Sequence, residues 1–142
     1  MRAVLDRSTE MVAWAAARIP DLHGQGFPDA ATAIGVEDSS GVILGVVVFS
    51  SYEPWNRTIE VSAVAEDPRW MRARRAWDTM HRYAFDVCGV DKIWSRTPAN
   101  NTRALRFLKA LGFQQEAVLK RQFGADDAVI SCKFREQYNL QT

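Results

Sequence analysis

Pro98-Ala99-Asn100-Asn101-Thr102-Arg103-Ala104-Leu105-Arg106-Phe107-Leu108-Lys109-Ala110-Leu111-Gly112-Phe113 is the stretch on which the fold turns. Pro98 closes the strand before it, and Asn101 or Asn100 supplies the short polar side chain that caps a helix. Ala104, Leu105, Phe107, Leu108 and Leu111 recur at steps that gather them on one helix face. Gly112 then falls where a left-handed residue ends the helix, a conformation glycine takes without steric cost. Strand, capped helix, glycine stop and a new strand (residues 113–119) follow one another without a linker.

Working upstream, residues 90–97 read as a strand with Ile93 and Trp94. Before it Trp70, Ala73, Trp77, Met80, Ala84 and Val87 form the stripe of one long amphipathic helix, ended by Cys88-Gly89. Residues 58–65 alternate Ile59, Val61 and Ala63 with Glu60, Ser62 and Val64, a strand with two unlike faces. Residues 42–49 are apolar at successive positions, which predicts a strand covered on both sides. Residues 31–36 pair with it across the turn Asp38-Ser39-Ser40-Gly41. A first helix, capped by Ser8 or Thr9, carries Met11, Val12, Trp14, Ala15 and Ile19 and stops at Pro20; residues 20–29 are loop. Downstream, residues 128–134 give a last strand, joined through Gly124-Ala125-Asp126-Asp127. Hairpins pair antiparallel and strand-helix-strand units parallel. The expectation is α/β (α+β): one domain over residues 1–142, with a mixed, mostly antiparallel sheet of six to seven strands and helices on both faces.

The bulk numbers narrow the function. Lys plus Arg is 18 against 17 for Asp plus Glu, so the net charge of +1 argues against a nucleic-acid partner. No apolar run approaches the ~20 residues needed to cross a bilayer, and an acid at Asp6 interrupts any secretory core, so no membrane partner and a cytoplasmic location are expected. Cys88 and Cys132 form no Cys/His cluster, so no metal is expected; they read as free thiols in a reducing compartment.

The Asn-opened helix running into Leu111-Gly112-Phe113, the Asn101-to-Phe113 spacing, and the tail Gly112-Phe113-Gln114-Gln115-Glu116 with Asp127-Ala128-Val129-Ile130 and Phe134-Arg135-Glu136-Gln137-Tyr138 together resemble the GNAT acyltransferase superfamily. Within it they are most similar to the ribosomal-protein N-terminal acetyltransferase (RimJ/RimL-like) branch. The resemblance spans residues 58–138. It implies acetyl-CoA as co-substrate, direct transfer to an amine acceptor, and room for a homodimer. It implies that strands 58–65 and 92–97 splay apart so that pantetheine lies between them against strand backbone, here around Val64. It also implies that the pyrophosphate rests at the start of the next helix, where free N–H groups and the helix dipole attract anions, and that Asn101 hydrogen-bonds pantetheine besides capping its helix.

One departure is plain. Where the superfamily carries a Gln/Arg-x-x-Gly-x-Gly/Ala loop, this chain reads Glu66-Asp67-Pro68-Arg69-Trp70-Met71-Arg72-Ala73-Arg74-Arg75, without glycine and some three residues shorter. Arg69, Arg72 and Arg75 are the candidate replacements, since guanidinium groups make charge-assisted bonds to phosphate; the alternative is that they are solvated helix charges. Helical geometry puts Arg72 and Arg75 on one face and Arg74 elsewhere. Two hydroxyls that the resemblance would place in the last long helix are absent, their positions being Leu108 and Ala104.

Glu60 is the candidate base, because a half-buried carboxylate beside a cleft favours proton uptake; the alternative is a salt-bridged strand residue. Glu66 and Glu116 are weaker candidates, His81 is expected at the surface, and His23 lies in the loop that would shape the acceptor site. Trp14, Trp77 and Trp94 are expected in the core, and Trp55 or Trp70 beside a cleft. Two functional readings stay open: an acyl-CoA-dependent N-acetyltransferase acting on a primary amine of a small molecule or a protein N-terminus, or a non-catalytic domain of the same fold serving as an interaction module.

Overall fold

A computed structural model describes residues 1–19, 26–27 and 30–141. His23 and most of the expected loop 20–29 lie outside the described residues. Seven strands form one mixed sheet in the order β1-β2-β3-β4-β5-β7-β6: Arg2–Val4 (β1), Thr32–Glu37 (β2), Ile43–Glu53 (β3), Thr58–Ala65 (β4), Lys92–Pro98 (β5), Gln114–Phe123 (β6) and Asp126–Phe134 (β7). Every neighbouring pair is antiparallel except β4–β5, which the intervening helix forces parallel. The helices are Ser8–Ala16 (α1), Arg74–Arg82 (α2), Thr102–Ala110 (α3) and Arg135–Gln141 (α4). The architecture inferred from the order of hydrophobic segments, a mixed sheet with helices on both faces, is the one observed.

The sheet separates two cores. On one face Met11 and Ala15 of α1 pack with Val4, Ala33, Val46 and Val48. On the other, Trp77 and Met80 of α2 and Leu108 of α3 meet Val47, Phe49, Ile59, Val61, Ile93 and Phe113. β3 serves both, and Leu44 through Ser50 are all buried, as its unbroken apolar run predicts. Each of its large apolar side chains contributes about 1.5–3 kcal/mol by leaving water.

One local expectation needed correction, and two short elements, β1 and α4, were not anticipated. β1 is too short for a period-2 pattern to show; the pairing of Arg2 with Glu37 across from β2 creates it. The long helix expected from Trp70 to Val87 is three pieces: a 3-10 turn Pro68–Arg72, then α2, then a π-helical turn Tyr83–Val87 closed by Cys88 N–H donating to Tyr83 O at 2.8 Å. The first break falls at Ala73, whose backbone (φ −80°, ψ 65°) is not helical. Finally, β7 ends at Phe134 and the chain turns into α4, whose Tyr138 ring stacks on Phe85 at 4.9 Å.

Candidate active site

β4 and β5 run in register at three positions only, Thr58↔Lys92, Ile59↔Ile93 and Glu60↔Trp94. Past Glu60 each strand follows its outer neighbour: β4 stays with β3 as far as Ala65↔Gly45, and β5 stays with β7 as far as Pro98↔Ala128. The two strands therefore part, and the peptide groups of residues 61–65 that face the opening have no β5 residue opposite. Val64 lies in this stretch; its side chain packs toward the α1 core, leaving its backbone at the edge of the gap.

Glu60 sits where the strands part. It is only 7% exposed; Ser51 Oγ donates to its Oε1 at 3.3 Å and Arg96 Nη2 lies 3.5 Å from its Oε2. Arg96 in turn lies over the Trp94 ring, 5.8 Å from its centroid. The two readings of Glu60 thus coexist: it is ion-paired, and it stands at the cleft. Glu66 is instead taken by Arg18 just past α1, and Glu116 by Lys92 at 2.8 Å, whose ammonium holds the Glu116 carboxyl below the usual carboxylate range.

The segment replacing the glycine loop is built differently from a phosphate cradle. Asp67 caps the 3-10 turn, accepting from Arg69 N–H at 2.9 Å, and so places a carboxylate where an anion would otherwise be met. The Arg69 guanidinium returns to Asp67 (2.9 and 3.0 Å) and lies 3.6 Å from Asp38, and this partner holds the Asp67 carboxyl low. Arg69 is therefore committed to carboxylates. Trp70, expected beside a cleft, is a core residue, 4% exposed, with its ring against Trp77 at 4.6 Å and Phe107 at 5.5 Å. Trp55 is 83% exposed in the β3–β4 turn.

α2 begins one residue later, with Ala73 as an N-cap that offers no side chain to its free N–H groups. A groove of about 840 Å³ runs between α2 and α3, lined by Arg74, Asp78, Arg103, Arg106, Phe107 and Tyr138 among others. Arg74, Arg103 and Arg106 are exposed and have no hydrogen-bond or ion-pair partner among the described residues. Arg72 and Arg75, the pair singled out by helical spacing, are exposed but do not line this groove; Arg74, assigned elsewhere, does. Within α2, Arg74 shares a face with Asp78 and His81, which line the groove, while Arg75 points off it; Arg72 lies before the break at Ala73. This donor set suits a coenzyme A polyphosphate, whereas the 3-10 turn with its capping carboxylate does not.

Asn101 caps α3 as expected, its Oδ1 accepting from Ala104 N–H at 3.2 Å. Leu108 is buried and Ala104 carries no hydroxyl, so α3 presents no acid at either position. His81 is not at the surface. It is 7% exposed, with Nδ1 2.7 Å from Trp77 O and Nε2 3.1 Å from Nζ of Lys133. Lys133, 1% exposed, also donates to Leu111 O at 2.7 Å, tying α2 to the end of α3. Nδ1 must then donate and Nε2 accept, which fixes one neutral tautomer. Burial and the neighbouring ammonium both push the His81 pKa down, and burial lowers that of Lys133. No sequence signal marks this pair, because its members are 52 residues apart. Among the described residues no group of three His, Cys, Asp or Glu side chains is placed to hold a metal, and no helix is long and apolar enough to cross a membrane.

Parallel strands that part at a buried carboxylate, with exposed arginines at the start of the following helices, form the frame of the candidate site. The chain belongs to the family described as acetyltransferase (GNAT) domain, which matches residues 4–114. It is accordingly an acetyl-CoA-dependent N-acetyltransferase acting on an amine. Among solved structures it is similar to the dodecameric spermidine N-acetyltransferase from Vibrio cholerae in an intermediate state, with a TM-score of 0.70 and 20% identity over 80% of this chain and 70% of that one. It is equally similar to the spermidine/spermine N-acetyltransferase of the same organism in complex with manganese ions, with a TM-score of 0.70 and 20% identity over 80% and 71% of the two chains. At such identity the likeness speaks for the fold alone. No curated protein matches the sequence.

Proposed function

We propose that this chain transfers an acetyl group to the primary amine of a small molecule or a protein N-terminus, with Glu60 as the proton acceptor. The observation that carries this is the parting of β4 and β5 at Glu60, the one carboxylate of that strand pair, which is buried at the mouth of the opening. Bound acetyl-CoA supplies an electrophilic thioester carbon there. Glu60 keeps the attacking amine in its neutral form. The amine nitrogen forms its bond to carbon as the carbon–sulfur bond breaks. Of the two protons that the ammonium loses, one passes by Glu60 to water and the other ends on the coenzyme A sulfur.

Pantetheine would lie against backbone around Val64 and beside the free amide of Asn101. The phosphates would meet Arg74, Arg103 and Arg106, with Arg72 and Arg75 adding a diffuse positive field. Arg69 has its carboxylate partners already and stands aside. The Asn101-to-Phe113 spacing and the tail after Gly112 support placement in the RimJ/RimL-like branch, for which a homodimer and a cytoplasmic location are the natural expectations.

Calorimetric titration with acetyl-CoA, with adenosine as the control, tests this reading. Binding that weakens about tenfold for each of Arg74→Ala and Arg103→Ala, as loss of one charge-assisted contact implies, supports it. No binding by the unaltered protein would favour the interaction-module reading instead.

A further inference from the structure

The acceptor side of the opening carries one acid and one base side by side. In-register pairing puts Ser50, Glu60, Trp94 and Cys132 in a row across one sheet face, and the period of two along β5 puts Arg96 on that face as well. It is the face on which α1 packs over β2 and β3, opposite the α2–α3 groove. The Glu60–Arg96 contact is long, a single 3.5 Å approach between Nη2 and Oε2. The Glu60 side chain is 9% exposed and that of Arg96 is 40% exposed. Nε and Nη1 of Arg96 make no hydrogen bond among the described residues, so the planar fork keeps two donors toward solvent. Trp94 lies beneath the guanidinium and limits its travel.

Resting on the transferase reading, we propose that the acceptor is a small zwitterion, an α-amino acid, whose ammonium is met by Glu60 and whose carboxylate is met by Arg96. An α-amino acid has its two charges on one carbon, the separation at which Glu60 and Arg96 stand. The match of sign is reciprocal: the ligand's ammonium replaces Arg96 as the partner of Glu60, and its carboxylate replaces Glu60 as the partner of Arg96, so the buried Glu60 carboxylate is never left bare. A polyamine fits poorly. Once one of its nitrogens reached Glu60, a neighbouring ammonium would face Arg96, and such like-charge contact is how a site rejects a competitor.

The test is thiol release from acetyl-CoA with three acceptor sets: the standard α-amino acids, their carboxamides, and spermidine. The expected result is that at least one amino acid has a kcat/KM about tenfold or more above those of its own carboxamide and of spermidine, the discrimination that one built polar contact gives. In Arg96→Gln the ratio of acid to carboxamide should fall toward one, while calorimetric binding of acetyl-CoA confirms a folded protein. Preference for carboxamides or spermidine would overturn the proposal, as would an acid-to-carboxamide ratio untouched by Arg96→Gln. So would acetyl-CoA binding with no amino acid acetylated. If acetyl-CoA itself fails to bind, the transferase reading falls first and takes this one with it.

Discussion

Gly45 of β3 lies directly beneath the Trp70 ring, and Gly45→Ala tests whether that contact fixes the turn that replaces the glycine loop. A Cβ at position 45 would stand 2.2, 2.5 and 2.8 Å from three Trp70 ring atoms. Carbon atoms at ease are about 3.5–4.0 Å apart, so the ring must retreat by about 1.5 Å. It has nowhere to go, being wedged against Trp77 and Phe107 and 4% exposed. Overpacking of this kind costs about 1–3 kcal/mol, and loosening the two ring pairs adds about 0.5–1.5 kcal/mol each. Gly45 is not among the positive-φ glycines, so alanine brings no backbone strain and recovers about 0.4–1 kcal/mol from the unfolded chain. The net is about 1–5.5 kcal/mol, or roughly 3–16 °C in Tm for a chain of this size. Thermal and urea unfolding of Gly45→Ala, Trp70→Ala and the double variant form a cycle. With Trp70 gone, the added methyl should cost nothing further. A Tm for Gly45→Ala within about 1 °C of the unaltered protein, or equal costs in both backgrounds, would refute the argument. Because Trp70 packs on Trp77 and Phe107, which line the groove beside Arg74, Arg103 and Arg106, acetyl-CoA affinity should fall along with stability in Gly45→Ala.

Three further outcomes are expected. Glu60→Gln should lower kcat by about a hundredfold or more, the usual contribution of a positioned base, while calorimetry finds acetyl-CoA bound as before. Asn101→Ala removes the α3 cap and should cost about 1 kcal/mol, read as a small fall in Tm, with an added loss of acetyl-CoA affinity if its free amide meets pantetheine. His81 is held neutral by burial and by Lys133, which outweigh the opposing pulls of the Trp77 carbonyl and Asp78. The unfolded chain therefore takes up a proton near pH 6.5 that the folded chain refuses, so stability should be full above that pH and decline as pH falls through it. Urea midpoints between pH 7.5 and 5 would show the slope as about the titration of one group, and His81→Gln should flatten it even though it lowers stability throughout.

Much of the chemistry was visible in the chain before folding. Glu60 between Ile59 and Val61 reads directly as a polar residue on a buried strand, and Asn101 before Thr102 reads as a cap, because both signals are local. The arginine-rich segment 69–75 was visible as well, but its geometry was not. Helical spacing assumes an unbroken helix, but the turn at Ala73 separates Arg69 and Arg72 from α2, and Arg69 went to Asp67 and Asp38; within α2 the face of Arg74, Asp78 and His81, not that of Arg75, lines the groove. His81 looked like a surface residue because it lies off the apolar stripe of its helix. Its burial depends on Lys133 arriving from β7, a partner no local pattern announces.

By itself the sequence missed β1, α4 and the want of a side-chain cap on α1, whose Ser8 hydroxyl accepts from Ala33 N–H instead, but it determined the order of the main strands and helices, the parallel join across α2, the Asn101 cap of α3 and the loss of the glycine loop. All of these follow from periodicity, dihedral preference and neighbours close in the chain. Only the tertiary structure decided that β4 and β5 part after Glu60, that Arg96 pairs with it, that Trp70 fills the space above Gly45, and that three arginines from two helices line one groove. Each of these joins residues far apart in sequence through register and side-chain packing, which are settled only when the whole sheet closes on its helices.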